Sequence, residues 1–173
     1  MDKKEFAVLV AVVRDAYPTA KFLKTDESMK LWYDMLQDLD FELASRALSE
    51  YIKTNKFPPT IADIRQLAAE QLIGEDLGWS TAWDEVRKAI SSYGYHRADD
   101  AMDSLSPIIQ TCIRRVGGFS YICRSQAQAA DRAAFREAYE QEARNRKREA
   151  VKNPGAFLVK KNQKQIKTMG RGN

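Results

Sequence analysis

Residues that could do catalytic or metal chemistry are few and widely spaced. The 173-residue chain contains one histidine, His96, and two cysteines, Cys112 and Cys123. This set cannot supply the four ligands of a structural zinc site or the several bridges of a disulfide scaffold. A serine or cysteine nucleophile paired with histidine would depend on His96, which lies in a tyrosine-rich stretch without a nucleophile at motif spacing. We therefore expect a surface histidine, reduced cysteines and a cytoplasmic protein.

Three acidic residues form the other candidate site. Asp99, Asp100 and Asp103 could share one helix face and offer oxygen ligands to a hard cation. Acidic residues in a first helical turn also stabilise the helix dipole, and no second acidic cluster accompanies them, so we favour the structural role and predict no metal. The chain has no Gly-Lys pair and no GxGxxG motif, which excludes the usual phosphate-binding loops. We predict a protein that is not an enzyme and has no cofactor.

Charge is distributed unevenly along the chain. Residues 144–173 contain ten Lys or Arg and one Glu, a charge of +9, whereas residues 1–143 carry −5. An acidic body with a basic arm is typical of proteins that meet nucleic acid or an acidic partner. The arm could also be a plain solvated extension, and we expect it to be disordered when alone.

Apolar residues interleaved with lysines at 157–167 suggest a segment that orders on a protein partner. The predicted partner-binding residues in this segment are Phe157, Leu158, Lys160, Lys161, Lys164, Ile166 and Lys167. Aromatic residues of the preceding region are further candidates, namely Trp79, Trp83 and Tyr121. If the arm instead binds DNA phosphates, the predicted contacts are Arg144, Arg146, Lys147, Arg148 and Lys152.

The element that organises the chain is a helical corner at residues 43–73. Apolar residues at helical spacing run on both sides of Pro58 and Pro59, which no helix can traverse in a straight line. We predict that Asn55 ends the first helix in a left-handed conformation. Thr60 and Asp63 form a capping box that starts the second helix.

The rest of the chain also shows helical periodicity, and no run alternates like a half-buried strand, so the predicted fold class is all-α. We predict a four-helix amino-terminal domain at 1–74, a second helical region at 79–143 and a basic tail at 144–173. The first helix is apolar nearly all round and should be central. In the second region we expect Ser80 or Thr81 to cap a helix, short helices at 98–104 and after Ser106–Pro107, and an apolar connector at 119–122. The apolar amino-terminal stretch is too short to span a membrane.

Two stretches carry a resemblance to a known family. LWYDML at 31–36 and YIKTNKFPPTIADI at 51–64 are similar to the helical amino-terminal domain of the small helicase loader/inhibitor proteins of phages of Gram-positive bacteria. AWDEVRKAI at 82–90 and SLSPIIQ at 104–110 resemble an extension in longer relatives. The resemblance implies an adaptor that binds and inhibits a ring-shaped replicative helicase and delivers it to origin DNA through an initiator protein.

In that family the folded amino-terminal domain and the flexible carboxyl region have different roles, and the carboxyl region engages the helicase. The resemblance implies the same roles for the corresponding regions of this chain, without assigning them to individual residues. The alternative is a replication or regulatory protein whose basic tail binds DNA directly. Salt dependence of binding distinguishes the two functions.

Overall fold

The computed structural model describes residues 1–74, 77–155 and 157. Most of these residues are helical, and no strand occurs among them, which confirms the all-α prediction. They divide into two units. Residues 1–74 and the described residues from Lys147 onward form the first unit, and residues 77–146 form the second.

Four helices of residues 1–74 build the core of the first unit. They are α1 (Lys3–Ala16), α2 (Asp26–Leu36), α3 (Phe41–Thr54) and α4 (Ile61–Ile73). Each of these helices begins with an N-cap side chain that accepts a hydrogen bond from a backbone N–H of the first turn. The N-cap residues are Asp2, Thr25, Asp40 and Thr60.

The first helix differs from the expectation of a central element. One face of α1 is buried through Phe6, Leu9, Val10 and Val13. On the other face Val8 remains 52% exposed and Val12 41% exposed. The remaining helices of this unit cover one side of α1 only, so its second apolar stripe stays at the surface.

The corner between α3 and α4 follows the prediction at its second half. Thr60 Oγ1 accepts from the Asp63 N–H at 3.2 Å, and Asp63 Oδ2 accepts from the Thr60 N–H at 2.8 Å. Asn55 ends α3 as predicted, but the predicted left-handed conformation was wrong, because its backbone is extended at φ −117°. Asn55 Nδ2 donates instead to the Tyr51 carbonyl at 2.9 Å, so the side chain caps α3 without a left-handed residue.

The second unit contains five helices and one 3₁₀ turn. They are α5 (Gly78–Tyr93), the 3₁₀ turn Tyr95–Arg97, α6 (Ala98–Ser104), α7 (Pro107–Arg115), α8 (Phe119–Arg124) and α9 (Gln128–Lys152), whose last turns belong to the first unit. The predicted helices at 98–104 and after Ser106 are confirmed.

Two details of the second unit were predicted wrongly. Helix α5 begins at Gly78, where φ is +73°, and neither Ser80 nor Thr81 caps it. The expected connector at 119–122 is the short helix α8. Phe119 and Ile122 are three residues apart and therefore share the buried face of one helical turn.

Candidate partner-binding surfaces

The described carboxyl end of the chain packs on the first unit. We call residues 147–155 together with Phe157 the docked segment. Ala150 and Pro154 are fully buried, and Phe157 is partly buried against the core that α1–α4 form. All of these residues belong to the region 144–173 that was expected to be a tail. The other partner-binding residues predicted in that tail lie outside the described residues, namely Leu158, Lys160, Lys161, Lys164, Ile166 and Lys167.

Arg65 of α4 holds the docked segment through the end of α9. Its Nε donates to the Val151 carbonyl at 2.9 Å and its Nη2 to the Lys152 carbonyl at 2.9 Å. The last carbonyls of a helix have no partner inside the helix and carry the negative end of its dipole. A guanidinium at this position donates hydrogen bonds to those carbonyls and places a positive charge at the negative end of the dipole.

The same guanidinium also reaches the carboxyl end of α2. Arg65 Nη1 donates to the Met35 carbonyl at 2.6 Å. Arg65 also forms a bidentate salt bridge with Asp38, in which Nη1 donates to Oδ1 at 2.7 Å and Nη2 donates to Oδ2 at 2.9 Å. The Arg65 side chain is 15% exposed, so these bonds are partly shielded from water. Planar two-pronged pairing of this kind combines charge with fixed geometry.

A second ion pair lies one turn earlier in α9. Lys147 Nζ is 2.9 Å from Glu70 Oε1, and both side chains are close to half exposed. The hydrogen bond from Lys147 lowers the pKa of Glu70 below its ordinary value of 4.5, although partial burial opposes the shift. An exposed pair of this kind contributes less than about 1 kcal/mol.

The aromatic candidates of the second unit occupy different environments. Trp83 is 8% exposed and lies against Phe135, with ring centroids 5.1 Å apart, so little of its side chain is available to a partner. Trp79 is partly buried, and the guanidinium carbons of Arg132 and Arg136 each lie 5.1 Å from its ring centroid. Tyr121 is 51% exposed.

The residues of the DNA-binding alternative lie on α9 and are mostly at its surface. Arg144 Nη2 donates to Gln141 Oε1 at 3.0 Å, and Lys147 is paired with Glu70. Arg148 and Lys152 are exposed, and Arg146 is partly exposed. The structure therefore places these cations along one helix, and it engages Lys147 within the first unit.

Sequence reasoning missed several exposed apolar side chains in the first unit. Phe57 is 78% exposed beside the two prolines of the corner, and Leu31 and Met35 form an exposed i, i+4 pair on α2. Phe57 belongs to neither helical stripe of the corner, and that lack of periodicity is the signal that could have identified it. The pair on α2 lies outside the face that Trp32 and Leu36 define.

An apolar cleft of about 300 Å³, including its open mouth, lies within the first unit. Its walls come from the core and from the corner. The lining residues are Phe6, Leu9, Val10, Val13, Phe22, Trp32, Leu36, Ala44, Leu48, Pro59 and Ile64. Such a wall offers no ligand to a metal and no polar group to orient a cofactor.

The structure gives the environments of His96 and of the aspartates near it. His96 is exposed in the 3₁₀ turn and stacks on Tyr95 with ring centroids 3.7 Å apart. Asp100 pairs with Arg97 at 3.0 Å. Across residues 1–74, 77–155 and 157, no group of three or more His, Cys, Asp or Glu side chains is arranged to hold a metal ion.

No helix in the described part of the chain is both long and apolar enough to cross a membrane.

Comparison with known proteins identifies the amino-terminal region. Residues 1–65 match the family model for the amino-terminal domain of the helicase loader/inhibitor protein of phage SPP1. The match covers α1, α2, α3, the capping box and the start of α4. Comparisons with curated proteins and with solved structures gave no significant match. The resemblance to the phage helicase loader family is thereby confirmed for this region.

Proposed function

We propose that this chain, whose first 65 residues match the amino-terminal domain of the phage loader/inhibitor family, is a replication adaptor that binds a hexameric replicative helicase, holds it inactive and loads it at an origin. The family match over residues 1–65 is the observation that carries the proposal. The family implies a helicase partner. We extend this to inhibition, to loading and to an origin-binding initiator as a further partner.

The adaptor works through binding energy alone. Its sequence lacks both usual phosphate-binding loops, so we infer that the contacts it makes with its partners supply the energy for its action. A non-enzymatic adaptor needs at least two contact surfaces, one for the helicase and one for the protein that recruits it. We assign the helicase contact to the carboxyl end, from Phe157 onward, and the initiator contact to the first unit.

Exposed apolar groups on the first unit support this assignment. Phe57 stands 78% exposed on a corner that two prolines and the Thr60 capping box make rigid. A rigid, exposed aromatic side chain loses little conformational freedom when it enters a partner's pocket. The pair Leu31 and Met35 offers a second apolar contact on the same unit.

Co-elution tests the proposal. The purified chain should co-elute with the purified hexameric helicase encoded by the phage or its host, and it should lower the DNA-stimulated ATPase rate of that helicase. Phe57→Ser should leave co-elution with the helicase intact and weaken recruitment by the initiator. Phe41→Ser is not a suitable control, because Phe41 packs against the core, so the matched control is the exposed Val12→Ser. Absence of any complex with the helicase would reject the proposal.

Direct DNA binding is the second candidate function, and the charge of +9 on residues 144–173 favours it. A protein that neutralises several phosphates loses affinity steeply between about 50 and 200 mM salt, because counterions return to the DNA. A packed protein contact responds much less. Tight binding to DNA without helicase, lost over this salt range and lost with the lysines, would favour the second candidate.

A further inference from the structure

The docked segment is attached to the first unit by few apolar side chains. Ala150 and Pro154 are its fully buried residues, and Phe157 is partly buried. The other ties are polar, namely the bonds from Arg65 to two helix-end carbonyls and the exposed Lys147–Glu70 pair. Segments with few buried apolar contacts open at a lower free energy than the core to which they attach.

Phe157 is assigned to helicase binding and is also packed on the first unit, and it cannot do both at once. It is the first residue of the apolar and lysine-rich segment that we assign to helicase binding, and in the structure it lies against the core of the first unit. The Phe157 N–H also donates to the Asn153 carbonyl at 3.1 Å, so the chain is still helical at this position. A side chain packed on its own domain cannot at the same time fill a partner's pocket.

We propose that the docked segment is an internal latch that competes with the helicase for Phe157. In the closed state Arg65 holds the end of α9 and Phe157 stays on the first unit. In the open state the segment leaves Arg65, and Phe157 becomes available to a partner. This inference rests on the proposed function, since the competitor is the helicase. The apparent affinity for the helicase is the intrinsic affinity multiplied by the open fraction.

Two variants open the latch from opposite sides. Ala150→Asp places a charge at a fully buried position of the docked segment, and Arg65→Gln removes the guanidinium on α4. Each has a matched control at an exposed position, Ala134→Asp on α9 and Arg46→Gln on α3. Arg65 also bonds within residues 1–74, whereas Ala150→Asp changes only the segment, so the pair separates opening of the latch from damage to the domain.

Limited trypsin digestion of the full chain measures opening. Cleavage after Arg148 and Lys152, followed by mass spectrometry, should be at least about tenfold faster in both opening variants than in the wild type, because cleavage tracks the open population. The controls should cleave at the wild-type rate. Equal cleavage in all five proteins would overturn the latch. Protection that rises with protein concentration would show that a second copy supplies the segment, and would also overturn an internal latch.

Binding to the purified hexameric helicase measures the competition. Both opening variants should bind at least about threefold more tightly than the wild type, up to the limit set by a fully open segment. Faster cleavage with unchanged or weaker helicase binding would overturn the competition. If no protein in the set binds the helicase, the proposed function fails and the competition fails with it, while the digestion result still decides whether the latch exists.

Discussion

At the residue scale, capping side chains decide where the corner between α3 and α4 turns. Thr60 and Asp63 exchange two hydrogen bonds with each other's backbone, and Thr60 Oγ1 lies 2.7 Å from Asp63 Oδ2. Tyr17 adds a tie from outside the corner, because its hydroxyl donates to the Asn55 carbonyl at 2.9 Å. The corner is therefore fixed by local backbone chemistry and by one long-range bond.

Thr60→Ala should lower the free energy of unfolding by about 1 kcal/mol, the usual loss when an N-cap side chain is removed. Urea unfolding followed by circular dichroism measures this change, and the dependence on urea should stay the same. Ser49→Ala on α3 is the control and should change stability little, since Ser49 is exposed. A variant as stable as the wild type would show that the capping box contributes nothing.

Burial should make Cys112 slow to react with alkylating reagents. Burial, with a smaller contribution from Glu142, raises the pKa of Cys112 to about 11, and burial also raises the pKa of Cys123. At pH 8 only about one Cys112 in a thousand is a thiolate, which is the reactive form. Alkylation of a Cys123→Ser variant, followed by mass spectrometry, should be slow and should accelerate about tenfold per pH unit up to the pKa. Fast modification of folded Cys112 at pH 8 would contradict its burial.

Sequence alone could predict residues whose partners are close in the chain. The capping box at Thr60 was predicted from a spacing of three residues. The contact of Arg65 with α9 could not be found in this way, because the α9 carbonyls it binds are 86 and 87 residues away and carry no sequence signal. The packing of Phe157 on the core of the first unit could not be predicted for the same reason.

At the element scale, helical periodicity predicted where the long helices lie, but it did not predict how neighbouring helices pack against them. It predicted the two stripes of the corner, but it could not say that the neighbours of α1 cover only one of its faces. Helix α8 was missed because six residues give less than two full turns of periodicity. Helix α9 is polar over its last turns, so its pattern did not predict that Ala150 would be buried.

The attachment of α9 to the first unit should depend on pH through Glu70. Its pKa is lowered in the folded protein, chiefly by the hydrogen bond from Lys147, so the folded state favours the ionised form. The resulting stabilisation is complete above the ordinary pKa of 4.5 and is lost as the pH falls through the lowered value. Hydrogen exchange, corrected for intrinsic rates, should show decreasing protection of the docked segment as pH falls from about 5 to 3.

Glu70→Gln should reduce this pH dependence, and Glu42→Gln, at an exposed position of α3, should leave it unchanged. If the protection of the docked segment falls equally steeply in the wild type and in Glu70→Gln, another group is responsible.

At the scale of the whole molecule, the stability of the first unit should depend on where the chain is cut. A chain ending after Phe157 keeps every described contact of the docked segment and should unfold at the wild-type temperature. A chain ending after Val151 loses the Lys152 carbonyl, Pro154 and Phe157. We expect it to lose about 2 kcal/mol of unfolding free energy, the scale for exposing one large apolar side chain.

Thermal unfolding of the two truncated chains tests this prediction. The few large apolar side chains of residues 152–173 would favour an unchanged transition for the shorter chain, and the burial of Pro154 argues against that expectation. Equal transitions for both truncations would restore it.

The most direct test of the central claim is the affinity of the chain for the purified hexameric helicase, measured by titration with three proteins. They are the full chain, the chain ending after Phe157, and the full-length double variant Leu158→Ser, Ile166→Ser, which keeps every lysine. The account predicts that the full chain binds and that both altered proteins bind at least about tenfold more weakly, because a segment that folds on its partner needs its apolar anchors. Equal affinity of all three proteins, or full affinity of the double variant that keeps every lysine, would contradict it.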